Sequence, residues 1–228
     1  MKVALCLSGH LRKFEQTFYS LNTHLLRKYN PDIFIHTWDK LGFSCPYKTD
    51  SVLSSTNIKL SKINQLYNPK KIIIESSDFV EHLKSEGDKY APHLKGQPKH
   101  VGHMASMFYK IYACNELRKL FELENNLNYD CIIRCRPDLV FNDSVVLPDK
   151  IEENTIWIPK FISHHNWYTD QFAIGSSDVM DLYSSVYFDI PEYFQAKMDF
   201  YPEKFMFWAL HKKNINVKFT NVNFQILR

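Results

Sequence analysis

The first forty residues constrain the fold most. Lys2 to Leu7 is an apolar run that stops at Ser8-Gly9, and apolar side chains then recur at positions 14, 18, 21, 25 and 26. Asn30-Pro31 breaks that pattern, and Asp32 to Thr37 is a second short apolar run. Buried strand, amphipathic helix and buried strand in so short a span read as a βαβ unit, and the crossover makes its two strands parallel. The expectation is therefore an α/β domain with a mostly parallel central sheet flanked by helices.

The remaining segments continue the alternation. Ile58 to Leu66 reads as a short helix, Lys70 to Glu75 as a third strand, and Phe79 to Leu83 as the opening of another helix. Ser85 to Gly102 is rich in Gly, Pro, Lys and His, the longest loop and so a candidate lid. Ala105 to Asn125 is the clearest helix, with Ile111, Cys114 and Phe121 on one face. Asp130 to Arg136 is a fourth strand ended by Pro137, and Asn154–Pro159 and Gln171–Ile174 are two more. Ser177 to Val186 is helical, capped by Ser176 or Ser177. Pro202 opens a late helix running to about Lys213, and Val217 to Thr220 is a last strand. No repeat or linker divides the 228 residues, so a single domain is expected.

Composition removes several function classes. A net charge of +3 is too small to mark a nucleic-acid binder, and no basic helix stands out. No run approaches the ~18 apolar residues of a membrane span. The N-terminal run Val3–Leu7 is too short for a secretory signal. Five cysteines without a C-x-x-C pair, three of them in strand-like runs, suit a reducing compartment, so a cytoplasmic location is expected.

In an open parallel sheet, ligands bind outside the carboxyl ends of the strands. After the first strand stand Ser8, Gly9, His10 and Arg12, where backbone N–H groups and a guanidinium suit an anion. The sequence matches neither a P-loop nor a G-x-G-x-x-G fingerprint. After the second strand come His36, Thr37, Trp38 and Asp39, with a ring to stack on a base and a carboxylate to accept from a ribose; core and loop capping are the plain alternatives. Arg134-Cys135-Arg136-Pro137-Asp138 is the sharpest feature. Alternation sends Arg134 and Arg136 to the same side, where two guanidinium groups need an anion: a ligand phosphate or carboxylate, or an internal bridge to Asp138. Lys110, on the long helix, has the reach to meet a diphosphate. Asp170, between Trp167-Tyr168 and a short apolar strand, is a candidate general base, and Glu203 is placed to act near an acceptor. The adjacent His164 and His165 are candidate phosphate or metal contacts, and Trp157 and Trp208 could stack on sugars.

The order and spacing of VALCLSGHLR, DIFIHTWD, MFYKIYACNELRKLFE, YDCIIRCRPDLVF, DQFAIGSSDVMDLY and PEKFMFWALHKKNI resemble glycosyltransferases of the GT-A fold, the small glycan-assembling enzymes of bacterial and large-virus type. The resemblance implies a UDP- or GDP-linked sugar donor held by residues 1–143 and a glycan acceptor held by residues 144–228, with Trp167, Tyr168 and Glu203 on the acceptor side. Such enzymes carry a D-x-D motif at the end of the fourth strand. Here the stretch reads Arg136-Pro137-Asp138, so either Asp138 alone holds Mn²⁺ or Mg²⁺, or arginines supply the positive charge. With Asp170 as base, the implied reaction is an inverting sugar transfer. A nucleotidyltransferase and a non-catalytic glycan-binding module on the same fold are the competing expectations.

Overall fold

The computed structural model describes residues 1–42, 58–79, 82, 91, 101–160, 167–199 and 201–227. The opening unit forms as its periodicity dictates. Strand β1 (Val3–Ser8) is wholly buried, helix α1 (Phe14–Leu21) follows, and β2 (Asp32–Trp38) pairs with β1 in parallel. Helix α1 runs on through a π-helical stretch, Asn22–Leu26, and a last turn, Arg27–Tyr29. Asn30 ends it in the left-handed conformation, which a short polar side chain tolerates. Helix α2 (Leu60–Tyr67) leads into β3 (Lys71–Glu75), and the long helix α3 (Val101–Asn125) leads into β4 (Cys131–Cys135).

The second half is less regular. It comprises β5 (Leu139–Phe141), β6 (Thr155–Pro159), β7 (Phe172–Gly175), α4 (Ser177–Ser184), a 3₁₀ turn Ser185–Asp189, α5 (Ile190–Gln195), α6 (Pro202–Lys212), β8 (Asn216–Thr220) and β9 (Phe224–Ile226). Ser176 caps α4, its hydroxyl accepting from the Val179 N–H at 3.4 Å.

Seven strands form one sheet in the order β3-β2-β1-β4-β7-β6-β8. The pairs β3–β2, β2–β1, β1–β4 and β6–β8 are parallel, whereas β7 is antiparallel to both its neighbours. The expected mostly parallel sheet is present, with β7 reversed. Strands β5 and β9 form a separate two-stranded ribbon.

Hydrophobic layers cover both faces. On one, Leu5, Leu7, Ile33, Ile35 and Ile133 meet Phe14, Leu21 and Leu25 of the first helix and Ile63 and Tyr67 of α2. On the other, Ala4, Cys6, Phe34 and Ile132 meet Phe108, Ile111 and Cys114 of α3, with Tyr183, Phe194 and Phe205 behind them. Helix α3 buries its apolar residues at helical spacing and also buries Arg118, which binds Asn115, Glu122, Ser177 and Asp181 and so fastens α3 to α4. This helix starts one turn before the expected Ala105. Cys6, Cys114, Cys131 and Cys135 are free and buried. Among the described residues no helix is long and apolar enough to cross a membrane. The expected lid Ser85–Gly102, apart from Ala91, Val101 and Gly102, lies outside the described residues, as do His164, His165, Cys45 and most of the expected helix from Phe79.

Candidate functional site at the carboxyl ends of β1 and β4

From β1 the chain moves outward to β2 and β3, then crosses back to β4 on the other side of β1. The order reverses between β1 and β4, and the crevice outside their carboxyl ends is where such sheets bind ligands. The loops after these two strands carry Ser8 to Arg12 and Arg136 to Asp138. Because β7 is reversed, its amino end lies at the same edge. The Arg136 N–H donates to Gln171 O at 3.1 Å, bringing Asp170 alongside.

Asp138 organises the crevice. Its side chain is 1% exposed and accepts from Arg12 Nη1 at 2.5 Å and from Arg136 Nε and Nη2 at 2.9 and 2.7 Å. Burial alone would raise its carboxyl; the Arg136 and Arg12 charges outweigh that and hold it below the ordinary carboxylate range. The backbone beneath is fixed from two sides: Thr17 Oγ1 of α1 donates to Pro137 O at 2.6 Å, and Leu227 N–H donates to Asp138 O at 2.9 Å. Of the two expected fates for Arg136, pairing with a ligand or with Asp138, this structure contains the internal bridge, and it gains a second arginine from the β1 loop.

That loop is tightly folded. Gly9 has φ +112° with nothing within 4 Å of where a Cβ would stand, and Arg12 has φ +47°. A left-handed arginine is uncommon and persists where its surroundings hold it. Arg12 N–H donates to Leu41 O at 2.7 Å. Gly42, φ +124°, packs so closely that a Cβ would fall 2.9 Å from His10 Cβ and 3.1 Å from Arg12 Cγ. His10 Nδ1 donates to Lys40 O at 3.3 Å, and burial lowers its imidazole to about 4.

The β2 and β3 ends form an adjoining polar cluster. Lys110 is fully buried, with Nζ 2.6 Å from Glu75 Oε2, 3.0 Å from Thr37 O and 3.1 Å from His36 Nδ1. It also lies 3.5 Å from the Trp38 ring centroid, a cation–π contact. Burial lowers the Lys110 ammonium to about 8 despite Glu75, and burial with the Lys110 charge lowers His36 to about 4. At neutral pH the imidazole is therefore neutral and accepts from a charged lysine. Tyr109 OH donates to Glu75 Oε1 at 2.8 Å, and Asp39 Oδ1 accepts from Ser77 N–H at 2.9 Å. Thr37 Oγ1 donates to Gly9 O at 2.8 Å, joining this cluster to the β1 loop. Trp38 is 1% exposed, flanked by Phe79 and Tyr109, and Lys110 is turned into the interior. Neither expected ligand contact, base stacking by Trp38 or diphosphate binding by Lys110, is open in this arrangement.

Arg134, Ser8 and Asp170 are buried at 2%, 1% and 3% exposure. Trp167 and Tyr168 adjoin α6: Tyr168 N–H donates to Glu203 O at 3.3 Å, and its ring stacks on His211 at 5.7 Å. Beside them a cavity of about 400 Å³ is lined by Trp167, Phe207, Trp208, Lys204 and Lys212, among others. Trp157 packs into the core at 7% exposure. Sequence reasoning missed Glu75, Tyr109, Gly42 and Tyr183. Glu75 ends a strand and Gly42 follows one, the signals that could have found them; nothing local marked the two tyrosines.

A divalent metal fits Asp138 poorly, since both carboxylate oxygens already accept from guanidinium groups. Among the described residues no group of three or more His, Cys, Asp or Glu is placed to hold one.

The fold and crevice define an α/β protein with a mostly parallel sheet and charged side chains gathered at its switch point. Residues 1–228 match the family described as Domain of unknown function (DUF7796), and the protein belongs to that family. No curated protein matches the chain.

Proposed function

We propose that the protein is a glycosyltransferase of GT-A architecture that moves a sugar from a nucleoside-diphosphate donor to a glycan hydroxyl. The observation that carries this reading is the meeting of Arg12, Arg136 and Asp138 at the β1/β4 switch point, with Asp170 delivered to the same edge by the reversed β7.

The chemistry asks for these groups. As the acceptor oxygen bonds to the anomeric carbon, the bond from that carbon to the diphosphate oxygen breaks and its electron pair leaves with the diphosphate. Arg12 and Arg136 stabilise that developing charge, taking the part a metal ion plays elsewhere. Asp170 accepts the proton of the attacking hydroxyl. Displacement from the opposite side inverts the anomeric centre. Open space over Gly9 lets the donor approach the backbone. Trp167, Tyr168 and the α6 cavity form the acceptor side.

Thermal unfolding against a panel of nucleoside diphosphates and nucleotide sugars, each with EDTA or Mn²⁺, tests this. A ligand that binds only the folded protein raises its melting temperature. One nucleotide family should do so with EDTA present, and Arg136→Ala should abolish the shift. No shift with any nucleotide overturns the donor reading, and a shift confined to Mn²⁺ overturns the arginine scheme.

A further inference from the structure

The Asp138 bridge leaves one arginine of the crevice unexplained. Arg134 lies within β4, its backbone paired with Cys6 on one side and Ala173 on the other. It is 2% exposed, yet among the described residues its Nε and Nη1 have no hydrogen-bond partner. Two hydroxyls share that condition: Ser8 Oγ, 1% exposed, and Tyr183 OH, fully buried. Cys6 neighbours Arg134 directly, and Ser8, two residues on, faces the same side of the sheet. Tyr183 covers this side from α4. Burial raises its phenol, and the Arg134 and Asp170 charges act on it in opposite directions.

A guanidinium buried without an ion-pair partner is costly, and buried polar groups are normally satisfied. The unsatisfied atoms here can all donate: two guanidinium N–H groups and two hydroxyls. Waters would satisfy the hydroxyls but leave the guanidinium without an ion pair. We propose that Ser8, Arg134 and Tyr183 form a buried oxyanion subsite, distinct from the Arg12–Asp138–Arg136 bridge, that holds an acidic group of the substrate: a carboxylate or phosphate borne by the sugar. The Asp170 charge reaches the same phenol, so a sugar anchored there lies within range of the proposed base. The inference rests on the glycosyltransferase reading for the identity of the substrate; the anion chemistry stands on the orphaned donors alone.

The test is thermal unfolding of the whole protein at neutral pH with inorganic phosphate, glucuronate, glucose and UDP, in wild type, Arg134→Met and Tyr183→Phe. Phosphate or glucuronate should raise the melting temperature and glucose should not; whichever responds names the acidic group. Arg134→Met should abolish that shift and melt no lower than wild type without ligand, because an apolar chain replaces a buried charge that makes no ion pair. Tyr183→Phe should weaken anion affinity about tenfold, the effect of one hydrogen bond to a charged group. If Arg134→Met fails to fold, Tyr183→Phe decides. A wild type indifferent to both anions, or an anion shift that survives Arg134→Met, overturns the subsite. A UDP shift without an anion shift overturns the subsite and leaves the donor reading standing; an anion shift with no nucleotide shift does the reverse.

Discussion

Replacing Asp138 by Asn should destabilise the protein by about 3–5 kcal/mol, the cost of removing one partner from a buried charge cluster. The side chain is 1% exposed and receives three hydrogen bonds from two guanidinium groups, each 15% exposed. Asparagine keeps the volume but removes the charge and turns an N–H₂ toward groups that only donate. The two arginines then lose the carboxylate they share. Urea unfolding at pH 7 reads the effect: with a slope of roughly 2–3 kcal/mol/M, the midpoint should fall by about 1–2.5 M. The pH dependence has a definite sign. The folded carboxyl titrates below its unfolded value near 3.8, so its stabilisation is present above that pH and is lost as pH falls through the folded value. The deficit of the variant should therefore shrink toward pH 3. A loss under about 1 kcal/mol, as solvent-exposed pairs give, would refute the argument that the bridge fastens the β1 and β4 loops together.

Further expectations concern the supporting structure and the chemistry. His36, 3% exposed, titrates near 4 when folded and 6.5 when free; at about 1.4 kcal/mol per unit, roughly 3 kcal/mol of stability should be lost between pH 6.5 and 4 as the unfolded state takes the proton, measured by urea midpoints across that range. Gly42→Ala should cost about 1–3 kcal/mol, since a Cβ at φ +124° meets His10 at 2.9 Å, and a melting temperature equal to wild type would contradict that packing. Ser176→Ala should cost about 1 kcal/mol through the lost α4 cap, checked by the same unfolding curves.

What was legible in the sequence follows from local physics. The β1–α1–β2 unit stood out because its apolar spacing switches from continuous to helical and back, and the end of β4 stood out because alternation aligns Arg134 with Arg136. The direction of β7 was not legible, because Phe172–Gly175 is four buried residues that read the same either way. Strands β5 and β9, three residues each, gain their stability from each other across a long stretch of chain, and α5 is only six residues long, too short for its apolar spacing to stand out. Lys110 was read as free to meet a diphosphate because nothing within α3 announces Glu75 and Trp38, which arrive from other strands. The partners of Arg136 and Arg12 were half legible: Asp138 lies two residues from one, but 126 from the other.

The most direct test of the central claim is to incubate the protein with a panel of UDP- and GDP-linked sugars and glycan fragments, and to detect the released nucleoside diphosphate and extended glycan by mass spectrometry. The account predicts both products from one donor family in wild type, and a loss of about 10²–10⁴-fold in Asp170→Asn with donor binding retained. Transfer undiminished in Asp170→Asn would contradict the proposed base, and no nucleoside diphosphate from any donor and acceptor pair would contradict the glycosyltransferase itself.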